Sequence, residues 1–320
     1  MYNKIAESAQ VISFVIFSYL SPYRKVQLLK SAAFHIFSLT NINLTMKHFL
    51  MVFFSVFLFG LQTTIGQKKT AIIQGSEFAI HSSILNEDRT CFISLPESYN
   101  DSADLEKEYP IIILLDGYTH FNTATGIVHF MSSNSNRNHF MPETIIIAIE
   151  NVDRERDFTV TKIKTKRPNT MGGGRNFLNF LEKELIPYID KNYKTSNFRT
   201  LFGHYLGGMI TLNSYMDKNS IFDAYIAMDP SIWWDAEMMH NKVDAISPIS
   251  IHKKLYIATA NQGEANSERN KKRHDALYAL IEKKSDGPLN VEIAYFEKEN
   301  HRSIPLIALY EGLLFIATSQ

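Results

Sequence analysis

From residue 67 onward, short runs of consecutive apolar residues alternate with longer stretches whose apolar positions recur every three or four residues. Runs of the first kind are what strands buried on both faces of a parallel sheet look like, and the second kind reads as amphipathic helix. The clearest run is Pro110-Ile-Ile-Ile-Leu-Leu-Asp-Gly117, a central strand, followed by Thr144–Ile149, Arg199–Phe202, Ala224–Met228, Lys254–Ala260 and Val291–Phe296. Helices are predicted over Thr119–Met131, Asn176–Tyr193, Leu206–Asp217, a short stretch from Asp235, Glu268–Lys284 and Ser303–Thr318. In the second of these, Phe177, Phe180, Leu181, Leu185 and Ile189 share a face and Pro187 should bend the axis. Thr70–Ile73, Glu77–Ile84 and Arg89–Leu95 read as an opening antiparallel meander. The alternation predicts an α/β fold, a mostly parallel central sheet flanked by helices on both faces. Asn151–Thr170 lacks periodicity and reads as a long loop over the sheet edge facing the site.

The pattern before residue 67 is of another kind. Met46-Lys-His48, the apolar run Phe49–Leu61 and the ending Gln62-Thr-Thr-Ile-Gly-Gln67 have the basic start, short hydrophobic core and small-residue end of a secretory signal peptide, cleaved near Gly66. The chain therefore divides into an upstream segment, 1–45, a signal peptide, 46–66, and an α/β domain, 67–320. Two readings of the upstream segment stand side by side: translation starting at Met46, or an uncleaved internal anchor with Arg24, Lys25, Lys30 and Lys47 on the inner side. Both export the α/β domain, to the periplasm or beyond the cell, and membrane attachment follows only from the second.

Charge changes the picture by exclusion: 33 basic and 33 acidic residues balance, so no electrostatic nucleic-acid partner is expected. Cys91 is the only cysteine, so no intramolecular disulfide can form. His120, His129 and His139 fit no metal-ligand spacing, and Gly172-Gly-Gly174 lacks the spacing and lysine of a phosphate loop.

The candidate chemistry centres on Arg199-Thr-Leu-Phe-Gly-His-Tyr-Leu-Gly-Gly208. A strand running through a glycine turn into a helix is the setting of a nucleophile elbow, Gly-x-Ser-x-Gly, in which a strained residue is presented at the sheet's carboxyl edge. Gly203, His204, Leu206, Gly207 and Gly208 suit that turn, but its nucleophile position holds Tyr205. An α/β-hydrolase orders its triad along the chain as nucleophile, acid, histidine, each at the carboxyl end of a strand. Tyr205, Glu264 past the Lys254–Ala260 strand and His301 past the Val291–Phe296 strand follow that order, with Glu268 and Asp275 as rivals for the acid. Trp233 and Trp234 read equally well as core or as pocket aromatics.

Leu115-Asp-Gly117, Asp153-Arg-Glu-Arg-Asp-Phe-Thr159, Gly174–Tyr188, Phe202–Gly208, Phe222–Trp234 and Glu299-Asn-His-Arg-Ser-Ile-Pro-Leu306 together resemble the esterase family of α/β-hydrolases that contains the enterochelin (siderophore) esterases. The resemblance implies hydrolysis of a small-molecule ester or acyl ligand by a Ser-acid-His mechanism, with no metal or cofactor. It also implies oxyanion donors at the Leu206 N–H and in the Gly117–Tyr118 loop, with Arg156 and Trp234 as pocket walls. Tyr205 departs from the family's serine. A serine Oγ stands about 2.4 Å from its Cα and a tyrosine oxygen about 6.5 Å, so the phenol overshoots an attack position that needs atoms within about 3–3.5 Å. The sequence therefore predicts an impaired or inactive hydrolase, with a working carboxylesterase and a non-catalytic ligand-binding or surface protein as alternatives.

Overall fold

The computed structural model describes residues 69–318, apart from 103–104, 136, 247–252, 264–265, 286 and 288, and before them only Met46, His48 and Phe49. The upstream segment and almost all of the signal-like run lie outside the described residues. Among the described residues no helix is long and apolar enough to cross a membrane.

Eight strands form one sheet: β1 (Ser76–Ser82), β2 (Glu87–Ser94), β3 (Tyr109–Leu114), β4 (Ile145–Ile149), β5 (Thr195–His204), β6 (Ala224–Met228), β7 (Lys254–Ala260) and β8 (Val291–Phe296). Their order is β1-β2-β4-β3-β5-β6-β7-β8. The pairings of β2 with β1 and β4 are antiparallel and all the others parallel. The meander is thus two strands, since 70–73 pairs with nothing in the sheet. The continuous apolar runs are central because residues pointing either way must be buried: all of β4, β6 and β7 is.

Helices α1 (Gly117–Ser132), α2 (Arg154–Phe158), α3 (Gly174–Phe180), α4 (Ile186–Asn192), α5 (Leu206–Tyr215), α6 (Trp234–Ala245), α7 (Ser267–Lys284) and α8 (Ile304–Thr318) complete the fold. Alternate strand residues feed two cores. Ile112, Leu114, Ile146, Phe202 and Ile226 pack with α1 and α8. Ile111, Ile113, Ile147, Leu201 and Ile257 pack with the other long helices. A π-helical turn, Leu181–Leu185, joins α3 to α4 and takes up the distortion expected of Pro187. The stretch expected to be one long loop begins with α2 and turns irregular after Phe158. The N–H groups of Gly172, Gly173 and Gly174 bond to Thr159 Oγ1, Arg156 O and Thr159 O, so this glycine run closes on its own chain.

Candidate active site

The site forms where β3, β5 and β6 end, and the chain turns sharply at each end. Asp116, Tyr205 and Asp229 follow these strands with φ of 55°, 56° and 39°. Non-glycine residues held at positive φ cost about 1–3 kcal/mol each and persist where their surroundings fix them. At Tyr205, with ψ −113°, the N–H bonds to Met228 O at 3.0 Å and the carbonyl accepts from Met209 and Ser231 at 3.0 and 3.1 Å. A Cβ on Gly203 would run into the Gly207 carbonyl, so only glycine lets β5 pass so close to α5. The predicted elbow is present, with Tyr205 at its apex.

His301 lies just before α8, its side chain one-third exposed, and its Nδ1 donates to Asp229 Oδ2 at 2.5 Å. Asp229 itself is buried. Its Oδ2 also accepts from Gln262 Nε2 at 2.6 Å, and its Oδ1 from Asn270 Nδ2 at 2.8 Å and the Ala260 N–H at 3.2 Å. Burial pushes the carboxyl upward, but the bonds from His301 and Gln262 and the neighbouring His274 outweigh it and hold Asp229 below the ordinary carboxylate value. Among the described residues the acid facing His301 is Asp229, after β6; the expected Glu264 lies outside the described residues. Glu268 pairs with Lys272 and Asp275 with Lys271 on α7, and His301 bonds to neither. Asp229 was legible as the residue that ends the buried run Ala224–Met228, beside the elbow strand: His204 pairs with Met228, which places Tyr205 and Asp229 next in register.

The carboxylate selects the tautomer of the imidazole. With Nδ1–H engaged by Asp229, Nε2 carries the lone pair. Nε2 has no hydrogen-bond partner among the described residues and is not enclosed, so solvent reaches it; the same holds for the Tyr205 hydroxyl. The Tyr205 and His301 rings meet edge to face, centroids 5.0 Å apart and planes at 80°. The His204 ring lies 4.4 Å from that of His301, tilted by 37°, and His120 meets His204 edge-on at 6.0 Å. Burial first, then the neighbouring imidazoles, pulls His204 down to about 3, and burial also lowers His120. Behind Asp229, fully buried His274 donates from Nε2 to Pro230 O and accepts from Thr259 Oγ1 at Nδ1, at 3.0 and 2.7 Å.

The two expected pocket walls are both engaged within the fold. Arg156 is bound to Glu87 and Asp157. Arg154 stands over the Tyr205 ring, 5.6 Å from its centroid, and holds Asp116 through Nε and Nη2 at 2.6 and 3.0 Å and the His204 carbonyl at 3.1 Å. Trp234 is buried with its N–H on Thr161 Oγ1. Trp233 is 38% exposed and 6.4 Å from Tyr205. Leu206 and Gly117 each open a helix, where the first N–H groups have no intrahelical partner, and Tyr118 follows Gly117 exposed to solvent. A Cβ at Gly117 would stand 2.8 Å from the Ile149 backbone, which keeps that turn tight against β4. Two concavities, of about 230 and 340 Å³, are lined by other residues, Phe198 and Leu313 in the first and Glu97 and His129 in the second.

Strand order, elbow and the histidine–carboxylate pair define an α/β-hydrolase. The family described as "Putative esterase" matches residues 82–301, more than half of the chain, and the chain belongs to it. It is 29% identical over 277 residues to ferri-bacillibactin esterase BesA of Bacillus subtilis, covering 79% of this chain and 93% of that protein. It is 31% identical over 153 residues to the siderophore triacetylfusarinine C esterase of Aspergillus fumigatus, covering 45% of this chain and 51% of that one. Among solved structures, an IroE-like serine hydrolase from Shewanella oneidensis superposes with a TM-score of 0.68 at 28% identity, over 76% of this chain and 80% of the other.

Proposed function

We propose that this protein is an exported member of the esterase family that binds a small-molecule ester, of the siderophore type its relatives are named for, and that Tyr205 in the nucleophile seat leaves its turnover severely impaired. The observation that carries the reading is the contrast at one apex: a strained elbow holding a phenol, beside a His301–Asp229 pair that has every partner it needs. In a serine hydrolase, the imidazole takes the hydroxyl proton as oxygen attacks the carbonyl, and the carboxylate fixes the tautomer and steadies the imidazolium. Here His301 has the base's role and Asp229 the carboxylate's. The N–H groups of Leu206 and of Gly117 or Tyr118 are the oxyanion donors, and Arg154, Trp233 and the Tyr205 ring wall the ligand site. Tyr205 cannot take the serine's part, because its oxygen lies roughly 4 Å beyond the place attack requires. Export rests on the run from Met46 to Gln67.

The test compares hydrolysis of p-nitrophenyl acetate by the native protein and its Tyr205→Ser variant. We expect the variant to gain at least about 100-fold in kcat/KM, since the base and oxyanion donors act together with a nucleophile. Equal rates in the two proteins would sink the lost-nucleophile reading. Inactivity of both, with a short-chain ester still bound, would leave a ligand-binding protein.

A further inference from the structure

A serine esterase works in two halves: a hydroxyl attacks the ester, then water attacks the acyl-enzyme. The second half uses the imidazole, its carboxylate and the oxyanion donors, with no further call on the serine as a nucleophile. This chain keeps those parts. His301 Nδ1 is held by Asp229, Nε2 is reached by solvent, and the His204 ring lies against the imidazole, centroids 4.4 Å apart and planes tilted by 37°. The Tyr205 phenol leaves the base free: its ring meets His301 edge to face at 5.0 Å, and among the described residues its hydroxyl bonds to nothing. A water on Nε2 would stand at hydrogen-bond distance, about 2.6–3.2 Å, on the solvent side of the base.

On these grounds we propose that the native protein retains a slow esterase activity of a different kind, hydrolysing activated carboxylic esters by single displacement, with water activated at His301 Nε2 and no acyl-enzyme. The water oxygen bonds to the carbonyl carbon as one of its protons passes to Nε2, and the carbonyl electron pair moves onto oxygen, facing the N–H groups of Leu206 and Gly117 or Tyr118. When the tetrahedral species collapses, the bond to the leaving oxygen breaks and that oxygen takes the proton back from the imidazolium. Acid and alcohol leave, and the protein is unchanged. The inference rests on the reading of Tyr205 as occupying the nucleophile's seat.

The experiment uses the purified full chain with p-nitrophenyl acetate, stopped-flow release of p-nitrophenol and intact-protein mass after acid quench. Linear release from the first turnover, no mass gain of an acetyl group, and a rate that falls about 100-fold or to the buffer rate in both His301→Gln and Asp229→Asn support it. Melting curves establish that both variants are folded. An acetylated protein, a rate indifferent to His301, or a native rate no greater than buffer would each overturn it. The Tyr205→Ser variant separates the two claims. If it shows a burst and an acetylated serine while the native protein is inert, water activation fails and the nucleophile reading stands. If it is no faster than the native protein, the nucleophile reading falls as well.

Discussion

The acid–base half of the site and the nucleophile seat face each other with ring centroids 5.0 Å apart, yet they satisfy their polar atoms to very different degrees. Asp229 accepts four hydrogen bonds, from Ala260, Gln262, Asn270 and His301. The Tyr205 hydroxyl accepts and donates none among the described residues, while its backbone holds the strained turn that presents a nucleophile. A buried carboxylate with incomplete partners is expensive, so the acid–base half is kept intact by folding itself as well as by any chemistry. The seat has no such protection: its side chain is partly exposed, and only the backbone geometry is enforced by the glycines. On the proposed reading, a nucleophile can therefore be lost while the acid–base half persists.

The largest effect is expected where that comparison can be broken outright. If the acid–base half is catalytic once a nucleophile is returned, Asp229→Asn in the Tyr205→Ser background lowers kcat by about 10³–10⁴-fold with KM little changed, because an amide donates where the carboxylate accepted and His301 takes the wrong tautomer. Kinetics on p-nitrophenyl acetate checks it, and a loss below tenfold would mean that Asp229 is a folding group alone.

Next in size is a test of what supports the seat. Fully buried Arg89 on β2 pairs with Asp157 and Glu87, and Asp157 and Glu87 also hold Arg156. These charges fasten α2, which carries Arg154 over Tyr205, to the sheet. Removing one member of a buried pair leaves the other uncompensated, so Arg89→Ala should cost about 3–5 kcal/mol by urea unfolding. A cost under about 1 kcal/mol would show that α2 is positioned by Phe158 packing instead.

Acid sharpens the comparison further, because the groups around the base lean the same way. His204, His120 and His274 are depressed in the fold and Asp229 is held low. A depressed imidazole is protonated first in the unfolded chain, so stability present above about pH 6.5 is lost as pH falls from there toward the folded value, which for His204 is about 3. Each such group contributes up to about 1.4 kcal/mol per pH unit in that window. Asp229 adds a loss at lower pH, beginning below its ordinary value near 4. His204→Gln should therefore flatten the fall in stability between pH 6 and 4 by up to about 1.4 kcal/mol per unit, read from urea midpoints. An unchanged slope would place the acid sensitivity elsewhere.

Much of this was legible in the residues. The apolar runs located the strands to within a few positions, since strands with both faces buried leave no polar punctuation. The elbow was read from Gly203, Gly207 and Gly208, whose spacing answers a crowding that only glycine relieves. His301 was found by its place after the last strand. What failed was choice among near neighbours. Asp229 was passed over, because a carboxylate's reach to His301 depends on register across the sheet, which sequence order does not carry. Arg154 and Arg156 sit two positions apart on one short helical turn and so face different ways, one to Tyr205 and one to Glu87. Between Trp233 and Trp234 the pattern gave no preference, because a loop has no periodicity to say which side is inward.

That last ambiguity supplies the smallest and most local prediction. Trp233 is exposed and lies at ring-contact distance from Tyr205, with centroids 6.4 Å apart; Trp234 is buried and donates to Thr161. An exposed side chain contributes little to the fold, so Trp233→Ala should change unfolding free energy by no more than about 0.5 kcal/mol. If Trp233 lines the ligand site on the seat side, an aromatic contact worth about 0.5–1.5 kcal/mol is lost from aryl ester binding. In the Tyr205→Ser enzyme that is a rise in KM for p-nitrophenyl acetate of about two- to tenfold, with kcat kept because the acid–base half is untouched. A fall in kcat with KM unchanged would instead couple Trp233 to His301, and the two halves of the site would then be less separable than their hydrogen bonds make them.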